Sequence, residues 1–227
     1  MDPRRGPLAT PRRAFPLVRH LSVRLSRVLA PTPITPNQIT SVSLVCALAG
    51  AWCFAYPARG MQIAGGLLFL AFYVLDNCDG EIARAKGLST RFGLYYDTFV
   101  DWVGHAALFV GLGMGAEAAW GSRWWFWFGV AGAAGGTVNY FLGLWLDYRA
   151  GGAKDTASEP VPAHAGPARL LDTLGYVFRE LTRADFCFIL LALALLGWSW
   201  ALLPPAAIGA QVYWCMAFIK GVREHHV

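Results

Sequence analysis

Four aspartates, Asp76, Asp79, Asp97 and Asp101, lie inside segments that otherwise read as membrane-spanning. An ionised carboxylate at the middle of a spanning helix costs roughly 2.5 to 3.5 kcal/mol on insertion scales. Four together need a compensating partner, and a divalent cation is the natural one. Their spacing is helical: Asp76 and Asp79 stand at i and i+3, while Gly93, Asp97 and Asp101 repeat at i+4, so each set falls on one face. A short turn joins the two segments, which are expected to run antiparallel as neighbours. The depths agree, since Asp76 precedes Arg84 and Asp101 follows Gly93 by the same interval, about 12 Å along each helix. Two rungs of carboxylates are therefore expected to face each other across a helix pair, open at one membrane face. Gly80 and Ala83 beside them are small enough to let a bulky ligand reach the backbone, and Arg84 sets a positive charge at the rim. Hard oxygen donors favour Mg²⁺ or Mn²⁺ over softer metals. Carboxylate-held Mg²⁺ beside an Arg suits binding of a diphosphate and stabilisation of phosphoryl transfer.

The elements that must position these residues are apolar helices. The chain has 227 residues, 56% hydrophobic and only 15% charged, whereas a soluble domain carries nearer a quarter charged residues. The expected fold is all-α and polytopic, with six transmembrane helices near 38–56, 61–84, 92–116, 123–147, 184–203 and 205–221. Residues 1–37 form a basic, Pro-rich arm without the apolar core of a cleavable signal, and 222–227 a short tail. In this layout seventeen of the 19 Lys and Arg fall on one side, against Arg59 and Arg123 on the other. The positive-inside rule then puts both termini and the acidic site at the cytoplasmic face of the cell (inner) membrane. The net charge of +5 suits an anionic lipid surface rather than nucleic acid.

Within the arm, Phe15, Val18, Leu21, Leu25, Val28 and Leu29 recur at helical spacing while Arg12, Arg13, Arg19, Arg24 and Arg27 keep to the polar side. That pattern predicts an interfacial amphipathic helix over 14–29. Thr35 is a candidate cap for the first span, with Pro36 in its first turn. Other features need no chemistry. Cys46, Cys53, Cys78, Cys187 and Cys215 have no metal-ligand spacing, the Trp residues near 124–127 and 198–200 read as an interfacial belt, and Gly129, Gly132, Gly135 and Gly136 read as close helix packing. Glu81 is expected in a rim salt bridge with Lys86 or Arg84. His105, one turn beyond Asp101, either orients it, relays a proton or is a hydrogen-bonded spacer.

The run Asp76-x2-Asp79-Gly80-x2-Ala83-Arg84-x8-Gly93-x3-Asp97-x3-Asp101 resembles, position for position, the signature of the CDP-alcohol phosphotransferase (CDP-alcohol phosphatidyltransferase) family. The six-span layout, the amphipathic N-terminal helix and the Pro36-Asn37-x-x-Thr40 motif are similar to that family as well. The resemblance implies transfer of a phosphate-linked alcohol from a CDP-alcohol, commonly CDP-diacylglycerol, to the hydroxyl of a small polar acceptor, releasing CMP in phospholipid synthesis. It implies that Asp76, Asp79 and Asp97 hold a metal ion, and that Asp101 completes a two-ion site and takes the acceptor's proton. Gly80, Ala83, Arg84 and Gly93 would contact the cytidine diphosphate, and the protein would be a homodimer. Arg183 and Arg149 are the candidates for binding the acceptor. Family members using inositol phosphate tend to carry Ser and Lys near the end of span four, where this chain has Asp147. The resemblance thus disfavours a phosphorylated inositol without excluding it.

The rival reading is an intramembrane divalent-cation or proton transporter. Against it, the outer halves of spans two and three offer only Gln62 and His105 as polar groups, so no continuous ion path is expected. A scaffold would leave four buried aspartates without a purpose.

Overall fold

The computed structural model describes Leu8 and residues 16–149 and 185–225, with side chains after Ile219 and that of Ala217 left aside. These residues are all helical or in connecting turns. The helices are α1 (Val18–Leu29), α2 (Pro36–Phe54), α3 (Arg59–Lys86), α4 (Arg91–Trp120), α5 (Trp124–Arg149), α6 (Phe186–Leu196) and α7 (Leu203–His225). A short 3₁₀ turn, Ser199–Leu202, precedes α7. Among the described residues, α2, α3 and α4 are long and apolar enough to cross a membrane, and α6 is a shorter apolar helix.

Local chemistry sets the helix ends. Thr35 and Gln38 form the reciprocal cap that the sequence suggests: Gln38 N donates to Thr35 Oγ1 at 3.4 Å, and Thr35 N to Gln38 Oε1 at 2.9 Å, with Pro36 in the first turn. Thr90 caps α4 by accepting from Gly93 N at 3.0 Å. Gly87, at φ 66°, ends α3 in the left-handed conformation open to glycine, which lets the chain reverse within a few residues into α4.

The expected fifth span, 184–203, is interrupted. Gly197 at φ 77° stops α6 after Leu196, and Pro204-Pro205 do not separate two helices but lie in the first turn of α7. A proline there removes no helical hydrogen bond, because first-turn N–H groups have no intrahelical partner.

A second correction concerns the central helices. α3 and α4 meet through side chains rather than backbones, Tyr73 against His105 and Asp76 against Asp97. Both lean on α2, which is in extensive contact with each, while direct α3–α4 backbone contact is minimal. Small residues allow the α2–α4 approach: a Cβ at Gly111 would fall 2.2 Å from the Ala51 carbonyl oxygen, and one at Gly115 2.1 Å from that of Phe54. α4 packs in turn on α5, α5 on α7, and α3 on α6. The core runs through Phe54, Phe69, Phe72, Val100, Leu108, Leu112 and Leu190. Burying such side chains contributes about 1.5 to 3 kcal/mol each against water, and in lipid the gain comes from packing instead.

The helix expected over 14–29 begins at Val18, and residues 9–15, with Phe15, Arg12 and Arg13, lie outside the described residues. It docks on α3 by Val18, Ser22 and Ser26, leaving Leu17, Leu21 and Val28 exposed. Asp185, fully buried before α6, accepts from the backbone N–H groups of Leu17 and Val18 at 2.7 and 2.8 Å. It thereby caps α1 from across the sequence, where negative charge favours a helix start. Glu81 is 1% exposed and accepts from Ser22 Oγ at 2.9 Å, with Arg19 Nε 4.0 Å away. This overturns the expected rim bridge. Two residues beyond Asp79, Glu81 points about 200° round the helix, toward α1. Lys86 instead donates to the carbonyls of Thr32 and Ile34, each at 2.7 Å.

Candidate active site

With α2 packed along both α3 and α4, the facing carboxylates of the two helices border a cleft. Asp76 and Asp97 meet side chain to side chain, and Asp101 and Asp79 lie close enough for their charges to be felt at Asp76. The expected rungs are thus brought together, with a diagonal contact the spacing did not suggest. Asp79, 4% exposed, accepts a hydrogen bond from the Thr40 hydroxyl of α2. One oxygen of Asp76 and one of Asp97 are buried with no hydrogen-bond partner. A carboxylate oxygen left so is costly unless something fills it. Among the described residues, no three His, Cys, Asp or Glu side chains are drawn in closely enough to hold a metal as they stand. The donor chemistry nevertheless fits a hard divalent cation, since every group is a carboxylate and two oxygens lack partners.

A cavity of about 490 Å³ opens from these groups past the α3–α4 turn. Its lining includes Asp79, Gly80, Ala83, Arg84, Gly93 and Asp97, so all four residues expected to contact the nucleotide, three on α3 and one on α4, line the same cavity. Arg84 folds back along its helix: a Cβ at Gly80 would lie 3.2 Å from its Nη1. Gly93 is in the first turn of α4, where a Cβ would meet Asn37 Oδ1 at 3.3 Å. Pro36, Asn37 and Thr40 of α2, which the sequence gives as the start of a span and a motif similar to the family's without a place in the site, line the same cavity. Asp147 reaches it from α5.

Deeper in the bundle the cleft is closed. The ring of His105 lies edge-on to Phe69, Phe72 and Tyr73, with centroids 5.7 to 5.9 Å apart. His105 Nδ1 is 2.7 Å from the Asp101 carbonyl and Nε2 is 2.8 Å from Tyr73 Oη. A carbonyl can only accept, so the ring proton sits on Nδ1 and the Tyr73 hydroxyl donates to Nε2. Both ring nitrogens are thus engaged, one with Asp101 and the other with Tyr73. Of the acceptor candidates, Arg149 lines neither this cavity nor the one between α4 and α5; its guanidinium lies over the Trp145 ring at 4.6 Å. Arg183 lies outside the described residues.

Comparison with known proteins bears on this arrangement. The family described as CDP-alcohol phosphatidyltransferase matches residues 33–220. The chain belongs to that family, whose members generally use divalent metal ions. It is 30% identical over 105 residues to an archaetidylinositol phosphate synthase of Pyrococcus horikoshii, covering 46% of this chain and 54% of that protein. It is 33% identical over 119 residues to a phosphatidylinositol phosphate synthase of Mycolicibacterium smegmatis, covering 50% and 48%. The matched part spans about half the length of these relatives. The crystal structure of Mycobacterium tuberculosis phosphatidylinositol phosphate synthase with CDP-DAG bound superimposes with a TM-score of 0.54 at 23% identity, over 86% of this chain and 91% of that one. The fold is therefore shared.

Proposed function

We propose that this protein transfers a phosphatidyl group from CDP-diacylglycerol to the hydroxyl of a small polar acceptor, releasing CMP. The observation that carries the reading is the convergence of Asp79, Asp97, Gly80, Ala83, Arg84 and Gly93 on one cavity, with unfilled oxygens on Asp76 and Asp97 behind it. Asp76, Asp79 and Asp97 would hold one divalent cation, Mg²⁺ or Mn²⁺, and Asp101 would help hold a second. When bound, such ions offset phosphate charge and polarise phosphoryl oxygens. The chain's own groups do the rest. Gly80 and Ala83 let the diphosphate approach the backbone, Arg84 binds it by charge-assisted hydrogen bonds, and Thr40 fixes the orientation of Asp79. The acceptor oxygen bonds to the β-phosphorus while the bond from that phosphorus to the bridging oxygen breaks. CMP departs with that electron pair, and the acceptor's proton passes to Asp101.

The names of the relatives, archaetidylinositol phosphate synthase and phosphatidylinositol phosphate synthase, suggest an inositol phosphate as the acceptor. Six spans, cytoplasmic termini and a homodimer complete the reading, on the charge asymmetry and the family resemblance. The aromatic closure around His105 disfavours a transport path. Release of CMP from CDP-diacylglycerol by the purified protein, dependent on Mg²⁺ and acceptor, tests the proposal; binding of CDP-diacylglycerol without any such release overturns it.

A further inference from the structure

Tyr73 of α3 and His105 of α4 meet below the carboxylates, and the reaction described above uses neither. We propose that their hydrogen bond is a strut that sets the spacing of α3 and α4, and so fits the metal site to Mg²⁺ rather than to a larger divalent cation. Both are positioning residues, acting through the aspartates. The inference rests on the metal site proposed above and says what selects its ion.

The bond lies where the spacing is decided. Tyr73 stands three residues before Asp76, and His105 four residues after Asp101, so each is about one turn deeper than the carboxylate beside it. Tyr73 Oη and His105 Nε2 are 2.8 Å apart, and His105 Nδ1 is 2.7 Å from the Asp101 carbonyl. The imidazole is thus tied at one nitrogen to the backbone that carries Asp101 and at the other to the opposite helix. Both anchors are braced. Asn77 Nδ2 donates to the Tyr73 carbonyl at 2.8 Å, and the fully buried rings of Phe69 and Phe72 meet the imidazole edge-on. Phe72 also closes on α4 at Gly104, where a Cβ would lie 3.1 Å from its Cζ.

A proton relay would need a ring nitrogen on the Asp101 carboxylate, and both are taken, one by the Asp101 main-chain carbonyl and one by Tyr73. What the pair supplies is distance. The meeting of Asp76 and Asp97 also links the helices, but an ion held there replaces it, whereas the Tyr73–His105 bond does not depend on the ion. Mg²⁺ takes oxygens at about 2.0 to 2.1 Å and demands a near-octahedral shell, while Ca²⁺ takes them at about 2.3 to 2.6 Å with more freedom. Carboxylates from two helices close on the smaller ion only if those helices are kept near each other. The strut does this, and it favours Mg²⁺ by penalising the wider shell.

The test uses the full chain in lipid nanodiscs, with apparent Kd values for Mg²⁺ and Ca²⁺ taken from the rise in Tm with ion concentration. Tyr73→Phe deletes one oxygen and keeps the ring. It is expected to weaken Mg²⁺ binding about tenfold and to leave Ca²⁺ binding within about twofold of the wild-type value. His105→Leu is expected to shift the preference for Mg²⁺ over Ca²⁺ by the same factor. The double variant is expected to shift it no further than either single one, because both changes remove the same bond. A preference unmoved in Tyr73→Phe overturns the proposal, even where the Tm without ion falls, because loss of a packing contact alone would do that. Shifts that add in the double variant overturn it too. With Mg²⁺ still raising the Tm of the wild-type protein, either result leaves the metal site standing. No rise with either ion removes the metal site and this inference together.

Discussion

Asp185 is fully buried and Asp76 and Asp97 are half-buried, yet all three keep carboxylate oxygens away from solvent, with opposite hydrogen-bond accounts. Asp185 has both oxygens occupied by the first N–H groups of α1. Asp76 and Asp97 each keep one oxygen empty and press against each other. The chain satisfies the first carboxylate itself and leaves the second pair for something to be bound. Glu81 falls between, with one oxygen held by Ser22 and the other unpartnered, which fits a group that docks a helix. Burial alone therefore does not distinguish a structural acid from a functional one, whereas the list of built-in partners does.

That contrast can be broken experimentally, and the largest effect is expected at Asp97. Asp97→Asn keeps size and removes one ligand charge, so Mg²⁺-dependent CMP release is expected to fall by at least about 10²-fold. Mg²⁺ is also expected to raise the Tm of the wild-type protein but not of this variant. A normal rate at low Mg²⁺ would show that Asp97 is as structural as Asp185.

Asp101→Asn comes next. A positioned base is worth about 10² to 10⁴ in rate, so kcat is expected to drop while the affinity for CDP-diacylglycerol changes little. Near-normal turnover at saturating substrates would transfer the proton to another group.

Arg84→Ala is expected to raise the KM for the donor by about tenfold, since a phosphate-facing guanidinium acts in binding. An unchanged KM with lower protein yield would make Arg84 a topology-setting charge. The smallest effect is on the structural side of the comparison. Asp185→Ala removes two acceptors from the start of α1 and is expected to cost about 1 to 2 kcal/mol. Its Mg²⁺-induced rise in Tm is expected to persist. Loss of that rise would mean that the docking of α1 and the metal site are one unit.

The local part of this site was legible in the sequence. Helical periodicity alone puts Asp76 with Asp79 and Asp97 with Asp101, and the caps at Thr35 and Gly87 are short-range chemistry. What the sequence hid depends on which helix lies between which. A short turn between α3 and α4 makes them neighbours, and their side chains do meet, but α2 packs closely along both, and so Thr40 reaches Asp79 across 39 residues of sequence. Asp185 went unnoticed because its partners, Leu17 and Val18, are 168 and 167 residues away. Glu81 was assigned to nearby cations because i, i+3 and i, i+4 neighbours can be read from a string, while a docked helix cannot.

Packed along both α3 and α4, α2 makes the catalytic opening a calibrated gap. Its jaws are α3 and α4, and its shim is a helix with no charged side chain. The thickness of that shim is set where the Ala51 and Phe54 carbonyls meet Gly111 and Gly115, with no room for one added carbon. Tolerance at the chemistry is thus machined several turns away, where α4 is buried against α2, by the absence of atoms. A single methyl group there is expected to change the spacing between carboxylates without touching any of them.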